Sequence, residues 1–151
     1  NVKEEFYSYK IGRSIKVRDG SKIAIMNFGS VFNVSLEVAN ELDCTLIDMR
    51  FIKPIDTKAI IDTAKNHNLI VTIEDNSIIG GAGSAVNEVL NENNFKIPTI
   101  NIGAPDKFFN HATREEQLIE SGISKSNIIK KIEKCIKNIN LYDFNHSSNI
   151  E

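Results

Sequence analysis

Leu69-Ile-Val-Thr-Ile73 restricts the fold of this chain more than any other segment. The run is uncharged, branched at Cβ from Ile70 onward, and free of polar alternation, so neither face of a strand there suits water. A strand that is dry on both faces needs helices above and below it. Helical patterns flank the run on both sides: Asp56 stands as a cap before Ile60, Ile61 and Ala64, and Ala82, Ala85, Val86, Val89 and Leu90 recur at i, i+3, i+4, i+7 and i+8.

The same alternation continues elsewhere. Lys22–Asn27, Cys44–Asp48 and Pro98–Ile102 read as strands, with Met49–Ile55 a loop closed by Pro54. Ser30 is the expected N-cap of a helix carrying Val31, Val34, Ser35, Val38 and Leu42 on one face. Glu74–Gly81 reads as a loop. Thr113-x-x-Glu116 is a capping box, Gly122 ends the short helix it opens, and Ser126 is expected to open a last helix with Ile128, Ile129, Ile132, Ile136 and Ile139 inward. Asp19-Gly20 predicts a hairpin that pairs a first strand within Lys10–Val17 with Lys22–Asn27. The expected fold is therefore α/β: three layers, α/β/α, around a mixed, mostly parallel five-stranded sheet with its first strand antiparallel. Residues 1–9 read as the end of an interdomain linker, 10–140 as the domain, and 141–151 as a polar tail. The first residue is Asn, not Met, which reads as part of a longer or processed chain.

Composition narrows the function classes. With 151 residues, 41% of them apolar and 25% charged, one core can form without disulfides or metals. A net charge of -2 provides no field for a phosphate backbone, so general nucleic-acid binding is not expected. No apolar run approaches the roughly 20 residues of a membrane span, and Asn1–Glu5 lacks the features of a signal peptide. Cys44 and Cys135 lie far apart with no CxxC, which fits a reducing compartment. Eighteen Asn, twenty-four Ile and fourteen Lys against four Arg read as codon bias from an AT-rich genome.

In parallel sheets, ligands gather at the carboxyl ends of the strands. Asn27–Ser30, Asp48–Arg50, Glu74–Asn76 and Asn101–Asp106 all fall there, as a binding or interface edge or simply as polar loops with caps. Gly80-Gly81-Ala82-Gly83-Ser84 precedes a helix and could hold an anion on backbone N–H groups. It lacks the last glycine of a dinucleotide fingerprint, Val86 standing there, and close packing explains its small residues better. His67, His111 and His146 share no metal spacing. His67 suits the negative end of a helix, and His111 stands alone before the capping box. Alternation would point Glu74 and Asp75 to opposite sides if their strand continued. Neither Ser30 nor Ser84 belongs to a nucleophile motif, and Lys130, Lys131, Lys134 and Lys137 read as a solvated helix face. The residues alone indicate an α/β domain without a complete active site: no catalytic, cofactor or metal residue is assigned.

Read as strings, the residues say more. Lys22-Ile-Ala-Ile-Met-Asn-Phe-Gly-Ser30, Leu46-Ile-Asp-Met-Arg-Phe-Ile-Lys-Pro-Ile-Asp56, Val71 to Glu88 with its Gly-Gly-Ala-Gly-Ser, and Asn101-Ile-Gly-Ala-Pro-Asp106 stand in order. Together they resemble the C-terminal domain of 1-deoxy-D-xylulose-5-phosphate synthases, transketolase-like enzymes, over about residues 10–137. Asp75 and Ala112 depart conservatively from the Glu and Gly frequent in that family. The resemblance implies a homodimeric three-domain parent that condenses pyruvate with glyceraldehyde 3-phosphate, releasing carbon dioxide. It uses thiamine diphosphate and Mg²⁺ for isoprenoid, thiamine and pyridoxal phosphate synthesis. The diphosphate motif and activating glutamate of that family lie in its N-terminal and middle domains, so none is carried onto these residues, and this chain alone is expected to be inactive and to bind no cofactor. A parent of transketolase or 2-oxo acid dehydrogenase beta-subunit type would share the fold, and a free-standing flavodoxin-like binding module would need its own ligand loop. The expected role is assembly, with Arg50, Glu74, Asp75, Asn76, Gly81, Gly83, Asp106 and His111 as interface candidates and Arg50 as a fork donor to a carboxylate or carbonyls. The expected location is the cytoplasm for a bacterial parent and a plastid-type organelle for a eukaryotic one.

Overall fold

The computed structural model describes residues 8–107 and 113–147. Five strands form one sheet: β1 (Ile15–Arg18), β2 (Ile23–Phe28), β3 (Thr45–Asp48), β4 (Leu69–Ser77) and β5 (Thr99–Ala104). Five helices cover it: α1 (Phe32–Glu41), α2 (Thr57–Asn66), α3 (Ala82–Glu92), α4 (Arg114–Glu120) and α5 (Lys125–Ser147). The strand order is β1-β3-β2-β4-β5, with β1 antiparallel to β3 and the other neighbours parallel. The mixed sheet with an antiparallel first strand is the expected one, and Leu69–Ile73 is fully interior.

Successive side chains on the central strands go to opposite faces, and each face has its own core. Ile25, Leu46, Val71, Ile73 and Ile102 pack beneath Val38 of α1 and Ile128 and Ile132 of α5. Met26, Ile47 and Ile70 meet Ile60 and Ala64 of α2 and Val86 and Leu90 of α3. Among the described residues, no helix is long and apolar enough to cross a membrane.

The expected hairpin is not formed. β1 pairs with β3, Ile15 opposite Asp48 and Lys16 opposite Ile47, and both edges of β2 are taken by β3 and β4. The Asp19-Gly20 turn runs across the start of β3. A Cβ on Gly20 would lie 2.1 Å from the Cys44 carbonyl carbon, and Gly20 N–H donates to Thr45 Oγ1 at 3.0 Å. The Arg18 guanidinium donates to Cys44 O at 2.6 Å and to Asp43 at 2.8 Å. β2 buries nearly every residue and needs parallel partners on both sides, whereas Ile15, Lys16 and Val17 are exposed and suit an edge.

Two caps and one strand end also differ from expectation. Ser30 lies in a 3-10 turn, Gly29–Val31, and does not cap α1, because its hydroxyl donates to Asp75 instead. α5 begins at Lys125, and Ser124 Oγ, not Ser126, accepts from Asn127 N–H at 3.4 Å. β4 continues to Ser77, through residues expected in a loop. The capping box at Thr113 and Glu116 is formed in both directions, and Gly122 follows α4 with φ 79°. α5 remains helical to Ser147, into the polar segment that begins at 141.

Asp56 caps α2 and also fastens the chain leading into β1. Its Oδ1 accepts from Ala59 N–H at 3.1 Å, and its Oδ2 accepts from the Ser14 N–H at 2.9 Å and hydroxyl at 3.1 Å. Burial works to raise this carboxyl, but these bonds and the Arg13 charge outweigh it and hold it below the ordinary value. A carboxyl with a lowered folded pKa contributes stability that is present above its unfolded pKa and is lost as pH falls through the folded one. The stability gap between the native chain and Asp56→Asn, measured as urea midpoints, should therefore be full near neutrality and close as pH falls below about 4.

Candidate functional site

The extension of β4 organises the carboxyl edge of the sheet. Ser77 pairs with Ala104 after a register shift beyond Ile73, and Ile78 N–H donates to Ala104 O at 2.9 Å. Extended backbone through Glu74 and Asp75 sends their side chains apart. Glu74 turns inward, 3% exposed, beneath the start of α3. Its Oε2 accepts from Ala82 N–H at 2.8 Å and its Oε1 from Gly83 N–H at 2.9 Å. The positive end of α3 is thus filled by an anion from the chain itself.

The glycines are small because the sheet and the Glu74 carboxylate lie close: a Cβ on Gly81 would first meet Ser77 O at 2.2 Å. It would also lie 2.4 Å from Glu74 Oε2, and one on Gly83 would lie 2.5 Å from Thr72 Oγ1. The run is therefore a seat for Glu74 and for close helix–sheet packing, and not an open phosphate loop.

Asp75 points the other way. It accepts from the Ser30 hydroxyl and from the Arg114 guanidinium at 3.0 Å, so it ties the turn after β2 to the start of α4. Arg114 also donates to the Ser30 hydroxyl. Asn27, fully buried at the end of β2, donates from Nδ2 to Gly29 O at 3.2 Å and accepts from Ser35 Oγ at 2.9 Å, which fixes the same turn.

Arg50, Asp75 and Asn76 share a cleft of ≈ 430 Å³ with Phe28, Gly29 and Ile52, and the Glu74 backbone passes its floor. Arg50 has φ 62°, and its guanidinium carbon lies 3.7 Å from the centroid of the Tyr9 ring, a cation–π contact. Gly81 and Gly83 do not line this cleft: Gly81 is the N-cap of α3 and Gly83 lies in its first turn. Asp106 is exposed beyond β5, and His111 falls outside the described residues. The strand end places Asn27 on this edge, within Asn27–Ser30, without a role for its side chain, and Arg114 is missed. Asn27 was legible as a polar residue ending an apolar strand; Arg114, 39 residues from Asp75, left no local signal.

His67 has a structural post. Its Nδ1 lies 3.0 Å from Thr63 O, which requires a proton on that nitrogen, and its Nε2 lies 2.8 Å from Thr45 Oγ1. Both thiols are free. Burial pushes Cys44 up to about 11 and also raises Cys135, so neither has thiolate character near neutrality. Among the described residues, no group of three His, Cys, Asp or Glu is placed to hold a metal ion.

A three-layer α/β/α domain around a mixed five-stranded sheet is shared with transketolase-type enzymes. The chain matches the model of the transketolase C-terminal domain over residues 12–128 and belongs to that family. It is 42% identical over 132 residues to the 1-deoxy-D-xylulose-5-phosphate synthase of Blochmanniella pennsylvanica, covering 87% of this chain and 21% of that protein. It is 45% identical over 129 residues to the synthase of Klebsiella pneumoniae, covering 85% and 21%. The chain thus spans about a fifth of the length of these curated relatives. Among solved structures, a split-gene transketolase described as an inactive beta4 tetramer superposes with a TM-score of 0.76 at 29% identity, covering 85% of this chain and 43% of that one. A Campylobacter jejuni transketolase shares the fold, with a TM-score of 0.57 at 16% identity over 88% of this chain and 20% of that one.

Removing the internal anion should expose the site it fills. Glu74→Ala leaves two buried N–H groups without an acceptor, at a cost of about 3 kcal/mol in urea unfolding. Millimolar phosphate should raise the Tm of Glu74→Ala more than that of the native chain; equal shifts would show that the carboxylate does not occupy an anion seat.

Proposed function

We propose that this chain is the C-terminal domain of a 1-deoxy-D-xylulose-5-phosphate synthase and serves assembly, not chemistry. On this reading the parent condenses pyruvate with glyceraldehyde 3-phosphate, releases carbon dioxide, and feeds isoprenoid, thiamine and pyridoxal phosphate synthesis. The level of identity to the named synthases, above that to the split-gene transketolase, favours this parent over the other transketolase-type enzymes.

The observation that carries the non-catalytic role is the Glu74 carboxylate on the first N–H groups of α3. The positive helix start, where a diphosphate would be received in this kind of sheet, already holds a negative charge, and a diphosphate brought there would be repelled. The donor set also does not fit Mg²⁺, which takes carboxylate and water oxygens in an octahedron, since the described residues converge no such carboxylates. On this reading thiamine diphosphate and Mg²⁺ are held by the N-terminal and middle domains of the parent, as the resemblance implies, and the parent is a homodimer in which this domain neither touches nucleic acid nor enters a membrane. The parent works in the cytoplasm of a bacterium, or in a plastid-type organelle if it is eukaryotic.

The edge bearing Arg50, Asp75 and Asn76 holds the domain against its neighbours, with Asp106 beyond it and Glu74, Gly81 and Gly83 shaping it from within; His111, outside the described residues, stays an interface candidate from the sequence alone. Arg50 is the fork donor, its left-handed backbone and the Tyr9 ring presenting the guanidinium to the cleft.

Two measurements test this reading. Calorimetry of the chain with thiamine diphosphate and Mg²⁺ should give no saturable heat at micromolar cofactor, whereas a stoichiometric site or pyruvate decarboxylation by the chain would overturn the assembly role. In the full-length parent, Arg50→Ala should weaken dimerisation or domain docking more than it alters substrate KM. A rise in KM with assembly intact would make Arg50 a substrate ligand.

A further inference from the structure

Five of the seven exposed large apolar side chains among the described residues gather at one corner, and the other two, Ile79 before α3 and Ile119 in α4, stand apart from it. The five are Tyr9, Ile11, Ile15, Val17 and Ile52, with Ile11 exposed at 72% and Tyr9 at 59%. Residues 9–14 run beside residues 50–56: Tyr9 lies on Arg50, a Cβ on Gly12 would touch Pro54 at 2.9 Å, and Ser14 is bonded to Asp56. Ile52 lies between the first two of these contacts. β1 then carries Ile15 and Val17 onward as the outermost strand, bonded to β3 on one side and, among the described residues, to no strand on the other. Exposed apolar side chains beside an outermost strand are suited to packing.

The family name and the relatives' length indicate what covers it. The domain is C-terminal in its family, and the chain spans 21% of a relative, so the rest of such a protein precedes it. That polypeptide reaches the domain through the lead-in at Tyr9, which is held on Arg50 and runs directly into this corner. A domain tethered at that point faces these side chains at high effective concentration. Resting on the synthase reading above, we propose that the Tyr9, Ile11, Ile15, Val17 and Ile52 surface is the seat of the preceding domain of the same polypeptide, through an apolar patch of that domain.

Photo-crosslinking in the full-length parent tests this. A benzophenone maleimide is placed on Ile52→Cys and, separately, on Val17→Cys as the sole reactive thiol, with Lys137→Cys on α5 as the comparison site. A crosslink from Ile52→Cys or Val17→Cys to a peptide preceding these 151 residues, at single-chain mass on a denaturing gel and at least about tenfold above the Lys137→Cys yield, is the expected result. A product of doubled mass would assign the surface to a second copy and overturn the proposal. No crosslink at either site above that comparison would leave the surface open to solvent and also overturn it. Synthase activity of the same unlabelled parent is assayed alongside. An inactive parent with the expected crosslink would sink the synthase reading and leave the seat standing, while an active parent without it would do the reverse.

Discussion

Two hydrogen bonds to one carboxylate hold the carboxyl edge of this domain together. Glu74 satisfies the first free N–H groups of α3, and in doing so it fixes where the helix starts, how near it lies to the sheet, and which residues can line the approach. Gly81 and Gly83 follow from it and from Thr72 beneath the helix, since side chains there would meet oxygen atoms within bonding distance. Gly103 on β5 answers to the extension of β4, because a Cβ there would lie 2.8 Å from the Asn76 carbonyl oxygen. A helix start that in many parallel sheets stays open for a ligand is here part of the core.

That choice divides the labour on the edge. Glu74 looks inward and stabilises, and Asp75, the next residue, looks outward and joins three elements through Ser30 and Arg114. Period-two geometry is sufficient to split adjacent carboxylates into two roles. Because Asp75 and Arg114 stand in solvent, their pair contributes little to global stability, and its effect is on where α4 lies.

Much of this was legible in the sequence wherever local rules act alone. Leu69–Ile73 announced a doubly covered strand, Asp56 and Thr113 announced helix starts, and Gly122 a helix end, because caps and periodicity involve residues within a few positions of each other. The errors arose where a distant partner decided the outcome. Asp19-Gly20 carries a hairpin signal, but Arg18 and Gly20 are claimed by the start of β3, and β2 has buried parallel partners on both sides. Glu74–Ser77 looked like a loop because its residues are polar, and only β5 and the N–H groups of α3 make it a strand. Of the candidate interface residues, Arg50, Asp75 and Asn76 could be placed on one edge from strand ends alone, whereas the burial of Glu74 required the helix to be in place.

The strand order has a mechanical meaning. β1 is attached to the sheet only through β3, on the far side of it from β2, β4 and β5. Its side chains are largely exposed and its ladder is short and bulged, so it can lift away while the parallel core keeps every one of its own hydrogen bonds. What remains in place is Asp56, which grips Ser14 just before the strand begins. A pull arriving through residues 9–13 therefore meets the Ser14–Asp56 bonds, and with them the cap of α2, before any of it reaches β1.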